Sequence, residues 1–306
     1  MAEYQVIIVG GGPAGITAGL YTSRAGFKSL LLERGAFGGQ MINTSHVENY
    51  PGFVEGISGA ELGMIMHQQA TKYGLESNTS EVTTINPGPP HTVSTSDGNI
   101  EADVVVLAPG SEYRRLGVPG EEEFSGRGVS YCATCDGFFF RNKVVAVVGG
   151  GDTAITDALE LTQHASMVYV IHRRDQLRAS QVLQHRAFNE PKLECVWDSV
   201  VEEIVGDNLV QELKLRNIKT NEVSSLQVNG VFVAIGIIPN TQSFAGAVEL
   251  DSTGAIKTDE AMATSVPGIF AAGDARSDSP RQIATAVGDG ATAANSVMKY
   301  LQEKGR

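Results

Sequence analysis

Tyr4-Gln5-Val6-Ile7-Ile8-Val9-Gly10-Gly11-Gly12-Pro13-Ala14-Gly15 joins an apolar run to the pattern Gly-x-Gly-x-x-Gly. The run reads as a buried strand over Tyr4–Val9, and the residues that follow read as a helix from Pro13 to Ala25, stopped by Gly26. A second strand, Ser29 to Leu32, ends in Glu33, which completes a βαβ unit. Its glycines have separate tasks. Gly10 makes the turn, Gly12 lets the backbone approach a pyrophosphate at the helix N-terminus, and Gly15 allows helix and strand to pack closely. Glu33, 18 residues past Gly15, is placed to bind a ribose 2′-hydroxyl. Glycine-rich turns are common, and alone the motif would equally describe a tight strand–helix connection with no ligand. Strand, helix and terminal acid are all present here, so the segment is read as a nucleotide site, with Pro13 and Ala14 on its first helical turn.

The pattern recurs as Gly149-Gly150-Gly151-Asp152-Thr153-Ala154, between a strand over Lys143–Val148 and a helix from Asp152 to about His164, with another strand at Met167–Ile171. Gly149 to His172 spans the same 23 positions as Gly10 to Glu33. Where the first unit carries its carboxylate, the second therefore carries His172-Arg173-Arg174, with Arg178 close behind. A carboxylate would repel a 2′-phosphate, whereas a planar, permanently charged guanidinium binds it through paired, charge-assisted hydrogen bonds. Basic runs are most often solvated faces. This one falls at the tip of the ribose-binding strand, where charge decides cofactor choice, so NADPH rather than NADH is expected here. The residues expected to hold it are Gly149, Gly151, Asp152, Thr153, Ala154, His172, Arg173, Arg174 and Arg178.

Cys132-Ala133-Thr134-Cys135 lies 14 residues before Gly149. Cysteines at this spacing cycle between dithiol and disulfide, and together with two nucleotide sites they imply an electron relay. Half of a zinc site is the competing reading; it would need a second pair, and only Cys195 remains, so no metal is expected. Cys195 alternates with apolar neighbours in a strand-like segment and is given no role. Asp136, directly after the pair, reads equally as a general acid and base or as an N-cap or turn residue before Gly137.

The 306 residues suffice for two domains. The net charge of −12, from 23 basic and 35 acidic side chains, disfavours nucleic acid and anionic membranes as partners. The start of the chain has no basic region before an apolar stretch, no apolar run reaches spanning length, and three cysteines form no disulfide framework, so a reducing cytoplasm is expected. Asp103 to Leu107 reads as a strand closing the first nucleotide domain; Arg114–Gly120 and Gly236–Asn240 read as an outward and a return crossing between domains.

Taken with Gly38-Gly39-Gln40, Val47-Glu48-Asn49-Tyr50-Pro51-Gly52 and Ile269-Phe270-Ala271-Ala272-Gly273-Asp274, these motifs make the chain resemble the low-molecular-weight, NADPH-dependent thioredoxin reductases from Val9 to the last helix. The resemblance implies an α/β protein of two Rossmann-like nucleotide-binding domains. The FAD domain is discontinuous, residues 1–113 and 241–306, with the NADPH domain and its cysteine pair, residues 114–240, inserted. It implies that Gly39, Gln40, Asn49, Gly273, Asp274, Arg281 and Gln282 join the FAD site. It favours Asp136 as acid, Cys135 as the sulfur nearer the flavin and Cys132 as the one that meets the substrate disulfide. Electrons would pass from NADPH through FAD and the disulfide to thioredoxin or a thioredoxin-like protein, with a homodimer as the assembly and a rotation about the crossings presenting nicotinamide and disulfide in turn. A flavin-dependent dithiol oxidase would not need the arginines, and a ferredoxin-fed reductase would be expected to have lost the second fingerprint. Ala108-Pro109-Gly110 departs from the family's usual Ala-Thr-Gly, which removes a backbone donor and a hydroxyl expected near the flavin.

Overall fold

The computed structural model describes residues 2–44 and 46–305, so Met1 and Arg306, at the outer ends of the expected FAD-domain segments, lie outside the described residues. The chain forms two compact units, Met1–Glu112 with Ile238–Arg306 and, between them in sequence, Tyr113–Ile237.

The first unit opens with β1 (Tyr4–Val9), α1 (Pro13–Arg24), β2 (Ser29–Glu33), α2 (Gly59–Lys72), β3 (Glu76–Thr79), β4 (Val82–Asn86), β5 (His91–Thr95) and β6 (Gly98–Leu107). After β7 (Ser111–Tyr113) the second unit contributes β8 (Val129–Ser130), α3 (Ala133–Asp136), β9 (Val144–Val148), α4 (Asp152–Leu161), β10 (Met167–Ile171), α5 (Gln181–Phe188), β11 (Leu193–Val196), β12 (Ser199–Gly206), β13 (Val210–Asn217), β14 (Val223–Gln227) and β15 (Gly230–Val233). The chain returns through β16 (Ile237–Pro239), and β17 (Ile269–Ala271) and α6 (Ile283–Glu303) complete the first unit. Strand β7, just before the expected outward crossing Arg114–Gly120, pairs with β16, which lies within the expected return crossing Gly236–Asn240.

Both units are built on one plan. In the first, parallel strands run β3-β2-β1-β6 with β17 beyond β6; in the second they run β11-β10-β9-β15-β8. A fingerprinted strand thus sits at the centre of each sheet, where the order reverses and a crevice opens at the carboxyl ends. Strand β6 is longer than the sequence suggests because it serves two further partners besides β1. Its start pairs antiparallel with β5, and Val105–Leu107 pairs with β17. Burial on both faces explains the unbroken apolar runs: Val6, Ile7 and Ile8 are fully buried, as are Val145, Ala146 and Val147. Helix α4 ends at Leu161, short of His164, where the Thr162 hydroxyl turns back to the Leu159 carbonyl at 2.7 Å. Helices α1 and α6 pack closely enough that a Cβ at Gly290 would run into the Ala14 carbonyl.

One buried acid organises the outward crossing. Glu121 is 3 % exposed, and its carboxylate accepts the Leu116 N–H at 2.9 Å, the Gly117 N–H at 2.7 Å and the Tyr131 hydroxyl at 2.9 Å. Burial, reinforced by this bond, pushes the Tyr131 phenol well above its usual range. Truncation to alanine strands three donors. Glu121→Ala is expected to cost about 2 kcal/mol, seen as a fall of roughly 5 °C in Tm; an unchanged melting curve would show that solvent replaces the carboxylate.

Candidate functional site

Three sites follow from this layout, one in the first unit and two in the second. In the first, Gly10 has φ +104°, and a Cβ there would run into the Ala108 carbonyl, so the chain leaving β6 lies directly over the turn. A Cβ at Gly15 would strike the Gly10 carbonyl. Gly12 is the opposite case: the nearest atom to a Cβ there is Gly39 Cα at 3.9 Å, which leaves its face clear. Gly12 caps α1 without a side-chain bond and Pro13 follows it, so the helix start presents backbone alone. Gly38 N–H donates to the Gly11 carbonyl at 2.8 Å, and Gly39, at φ +61°, lies against Gly12, which brings Gln40 to the same rim. The Glu33 carboxylate is held over the loop by the Gly11 N–H at 2.6 Å and the Gly35 N–H at 2.9 Å.

Residues far apart in sequence close this crevice. Gly273, at φ +77° after β17, comes so near α1 that its Cβ would stand 2.9 Å from that of Ala14. Asn49 Nδ2 donates to Gln282 Oε1 at 3.2 Å, and Gln282 forms a capping box with Thr285 at the start of α6. Burial pushes the Asp274 carboxyl up, against the pull of the neighbouring Arg281. Arg281 adopts φ +58°, and its Nε is buried with no partner among the described residues. An uncapped helix start, a backbone face open to close approach and an unpaired guanidinium donor fit a phosphate-bearing nucleotide. Pro109, which has no N–H, offers only its carbonyl, and Asn240 Nδ2 donates to it at 3.2 Å. Sequence reasoning missed Asp289, a buried acid on α6. It receives the Gly273 N–H at 3.1 Å and a two-pronged Arg276 pair at 2.6 and 3.0 Å, fixing the turn before Asp274.

The second unit repeats the loop. A Cβ at Gly149 would collide with the Ala234 carbonyl, while one at Gly151 meets nothing within 4 Å, and Gly151 likewise starts α4 without a side-chain cap. The segment after β10 is stitched to this loop: Arg178 and Ala179 N–H donate to the Gly150 carbonyl at 2.7 and 3.1 Å, and Ser180 N–H donates to Asp152 Oδ1 at 2.7 Å. Thr153 is exposed on the first turn of α4, and Ala154 is buried beneath it. Arg173, Arg174 and Arg178 are exposed, and among the described residues none of the three guanidiniums is held in an ion pair. His172 differs from them. Its ring is buried against Gly150 and meets Trp197 edge-on, burial lowers its pKa, and its Nε2 has no partner among the described residues. Charge at this site therefore comes from the arginines, and packing from the histidine.

Cys132 and Cys135 form a disulfide across the four-residue helix α3, with Cα atoms 5.3 Å apart. Cys132 is the N-cap, and its sulfur receives the Cys135 N–H at 3.2 Å. That bond would favour a thiolate on Cys132 once the pair is reduced. Thr134, between the cysteines, donates to Glu160 Oε2 at 3.1 Å and so ties the pair to α4. Asp136 ends α3 and is the N-cap residue of the short 3-10 helix Gly137–Phe140, though its side chain makes no capping bond there; burial raises its pKa, and its Oδ2 accepts the Ser130 hydroxyl at 2.6 Å. Cys195 is part of β11, and burial pushes its thiol up to about 11.

The model of the pyridine nucleotide-disulphide oxidoreductase family matches residues 4–290 of the chain. A thioredoxin reductase of Listeria innocua is 48% identical over 98% of this chain and 94% of its own length, and one of Bacillus subtilis is 47% identical over 98% and 95%. Among solved structures, thioredoxin reductase from Streptococcus pyogenes superimposes with a TM-score of 0.94 at 49% identity, covering 98% of each chain.

Proposed function

The chain belongs to the pyridine nucleotide-disulphide oxidoreductase family, among its thioredoxin reductases, and from that premise we propose that it is a thioredoxin-disulfide reductase fed by NADPH through FAD. The observation that carries this reading is the Cys132–Cys135 disulfide in the same unit as a nucleotide loop flanked by unpaired arginines.

The first unit is assigned to FAD. Gly10, Gly12, Pro13, Ala14 and Gly15, with Gly39, take the pyrophosphate, Glu33 takes a ribose hydroxyl, and Gln40, Asn49, Gly273, Asp274, Arg281 and Gln282 line the rest. The second unit is assigned to NADPH. Gly149, Gly151, Asp152, Thr153 and Ala154 form its diphosphate loop, His172 packs beneath that loop, and Arg173, Arg174 and Arg178 hold the 2′-phosphate. Bound flavin supplies a two-electron step between the nicotinamide and the disulfide.

What the chain itself does is hold and move protons and sulfur. Cys132, with its sulfur facing a backbone donor, is the thiol that attacks the disulfide of a thioredoxin-like partner. Cys135 resolves the resulting mixed disulfide, and Asp136 accepts and returns the proton. The Arg114–Gly120 and Gly236–Asn240 crossings, next to the paired strands β7 and β16, serve as the hinge about which the units exchange faces. Cytoplasmic location and a homodimer complete the proposal; among the described residues no helix is long and apolar enough to cross a membrane.

Anaerobic titration with NADPH, followed by visible absorbance, tests donor, flavin and thiols together. The wild-type protein should take up twice the equivalents that Cys135→Ser does before bleaching is complete, because the variant lacks the second two-electron acceptor. Equal uptake would remove the disulfide from the path.

A further inference from the structure

Ser130, the last residue of β8, stands beside the cysteine pair. It is buried, and its Oγ lies within reach of three groups: the Cys132 N–H at 3.1 Å, the Cys132 carbonyl at 3.3 Å and Asp136 Oδ2 at 2.6 Å. A hydroxyl has one proton to give, and the shortest of these contacts is to the carboxylate. The proton therefore points to Asp136 while an oxygen lone pair takes the Cys132 N–H. The hydroxyl thus links the acid to the backbone of the attacking cysteine.

Resting on the acid–base role given above to Asp136, we propose that Ser130 is a positioning residue for thiol–disulfide exchange, holding the Asp136 carboxyl in register with Cys132 and keeping it a proton acceptor. In the outgoing exchange the Cys132 thiol gives its proton to the Asp136 carboxylate, and the thiolate attacks one sulfur of the acceptor disulfide. The acceptor's S–S bond breaks as the mixed disulfide forms, and the released sulfur takes the proton back from Asp136. Cys135 then loses its proton to the same carboxylate and attacks Cys132 Sγ. The mixed disulfide breaks, the Cys132–Cys135 bond re-forms, and the second acceptor sulfur leaves with that proton. Two electrons and two protons have passed to the acceptor, and Asp136 ends as it began.

The sign of the expected effect follows from the balance at Asp136. Burial raises its pKa and the Ser130 bond opposes that rise, so removing the hydroxyl pushes the carboxyl higher still. The ionised acceptor form is then lost at a higher pH. Titratable groups on the neighbouring elements are Asp157 and Glu160 on α4, His164 after it, and Tyr131 and Arg141 on either side of the turn. Glu160 is engaged by Thr134 and Tyr131 by Glu121, while burial and the nearby Glu160 push Asp157 up to about 6.

The test uses the flavin-loaded protein reduced with dithiothreitol and desalted, mixed in a single turnover with an aromatic disulfide reagent across the pH range. Iodoacetamide alkylation of the dithiol over the same range is a second readout. Ser130→Ala should move the acid-side midpoint of both profiles upward and slow exchange about tenfold on that limb, and Ser130→Thr, which keeps the hydroxyl, should restore both. Asp136→Asn should abolish the limb. If Asp136→Asn abolishes it while Ser130→Ala superimposes on wild type, the role of Ser130 is overturned and that of Asp136 stands. If Asp136→Asn leaves the limb intact, the acid–base reading itself falls and takes this one with it.

Discussion

Replacing Cys135 with serine should lower NADPH-driven reduction of a thioredoxin-like disulfide by at least about a thousandfold, because a serine hydroxyl neither ionises near neutral pH nor forms a bond that stores two electrons. Loss of rate alone would not separate chemistry from misfolding. The stronger expectation is a trapped intermediate. With Cys132 intact and its resolving partner gone, a covalent complex through Cys132 should accumulate with the acceptor protein and disappear on addition of dithiothreitol, visible on a non-reducing gel. Cys132→Ser should be equally inactive yet give much less adduct, since the sulfur that faces the backbone donor is then missing. Cys195→Ser is the control: that thiol lies in a strand with its pKa pushed up to about 11, and its loss should leave turnover within twofold of wild type. A variant lacking both Cys132 and Cys135 that still reduced the protein acceptor at full speed would overturn the relay.

The α/β class, the two nucleotide-binding layouts and the reductase family were legible in the sequence because the features that specify them are local. Gly10, Gly15 and Gly149 each stand where a Cβ would meet a backbone carbonyl, so the chain has little choice of residue there, and the fingerprint records that constraint. The insertion of one unit into the other was legible in the Gly- and Pro-marked stretches Arg114–Gly120 and Gly236–Asn240 as well as in the likeness to a known family, but nothing between Gly236 and Ile269 announces that β17 will pair with β6. Hidden from sequence reading were two acids that work inside the protein, Glu121 and Asp289. Glu121 opens the run Glu121-Glu122-Glu123, which reads as a solvated charge cluster; only its first member turns inward, to meet two backbone donors and a tyrosine. Asp289 lies among the small residues of α6, and its partners Gly273 and Arg276 belong to a segment whose position depends on the whole sheet. Ser130 carries no motif at all. Its bond to Asp136 needs the turn of α3 to exist before it can form. Such groups are defined by long-range geometry, and spacing along the chain does not record it.

Removing charge at the second loop should change which nicotinamide the protein accepts. Arg173→Gln with Arg174→Gln is expected to weaken NADPH binding about a hundredfold and to leave NADH within about twofold. Both arginines are exposed, and no ion pair among the described residues draws them away from an incoming phosphate. The buried His172, whose pKa burial lowers, stays neutral near pH 7 and does not supply the missing charge. Exposure also sets the salt dependence. Raising ionic strength should weaken NADPH binding more in the wild-type protein than in the double variant, which keeps only Arg178 of the three guanidiniums assigned to the phosphate. Trp197, the only tryptophan of the chain, lies 6.5 Å from the His172 ring and offers a local fluorescence signal for direct titration, free of turnover. Equal loss of affinity for the two nucleotides would mean that the arginines shape the loop without reading the phosphate. The second unit would then bind a nicotinamide without choosing between its two forms.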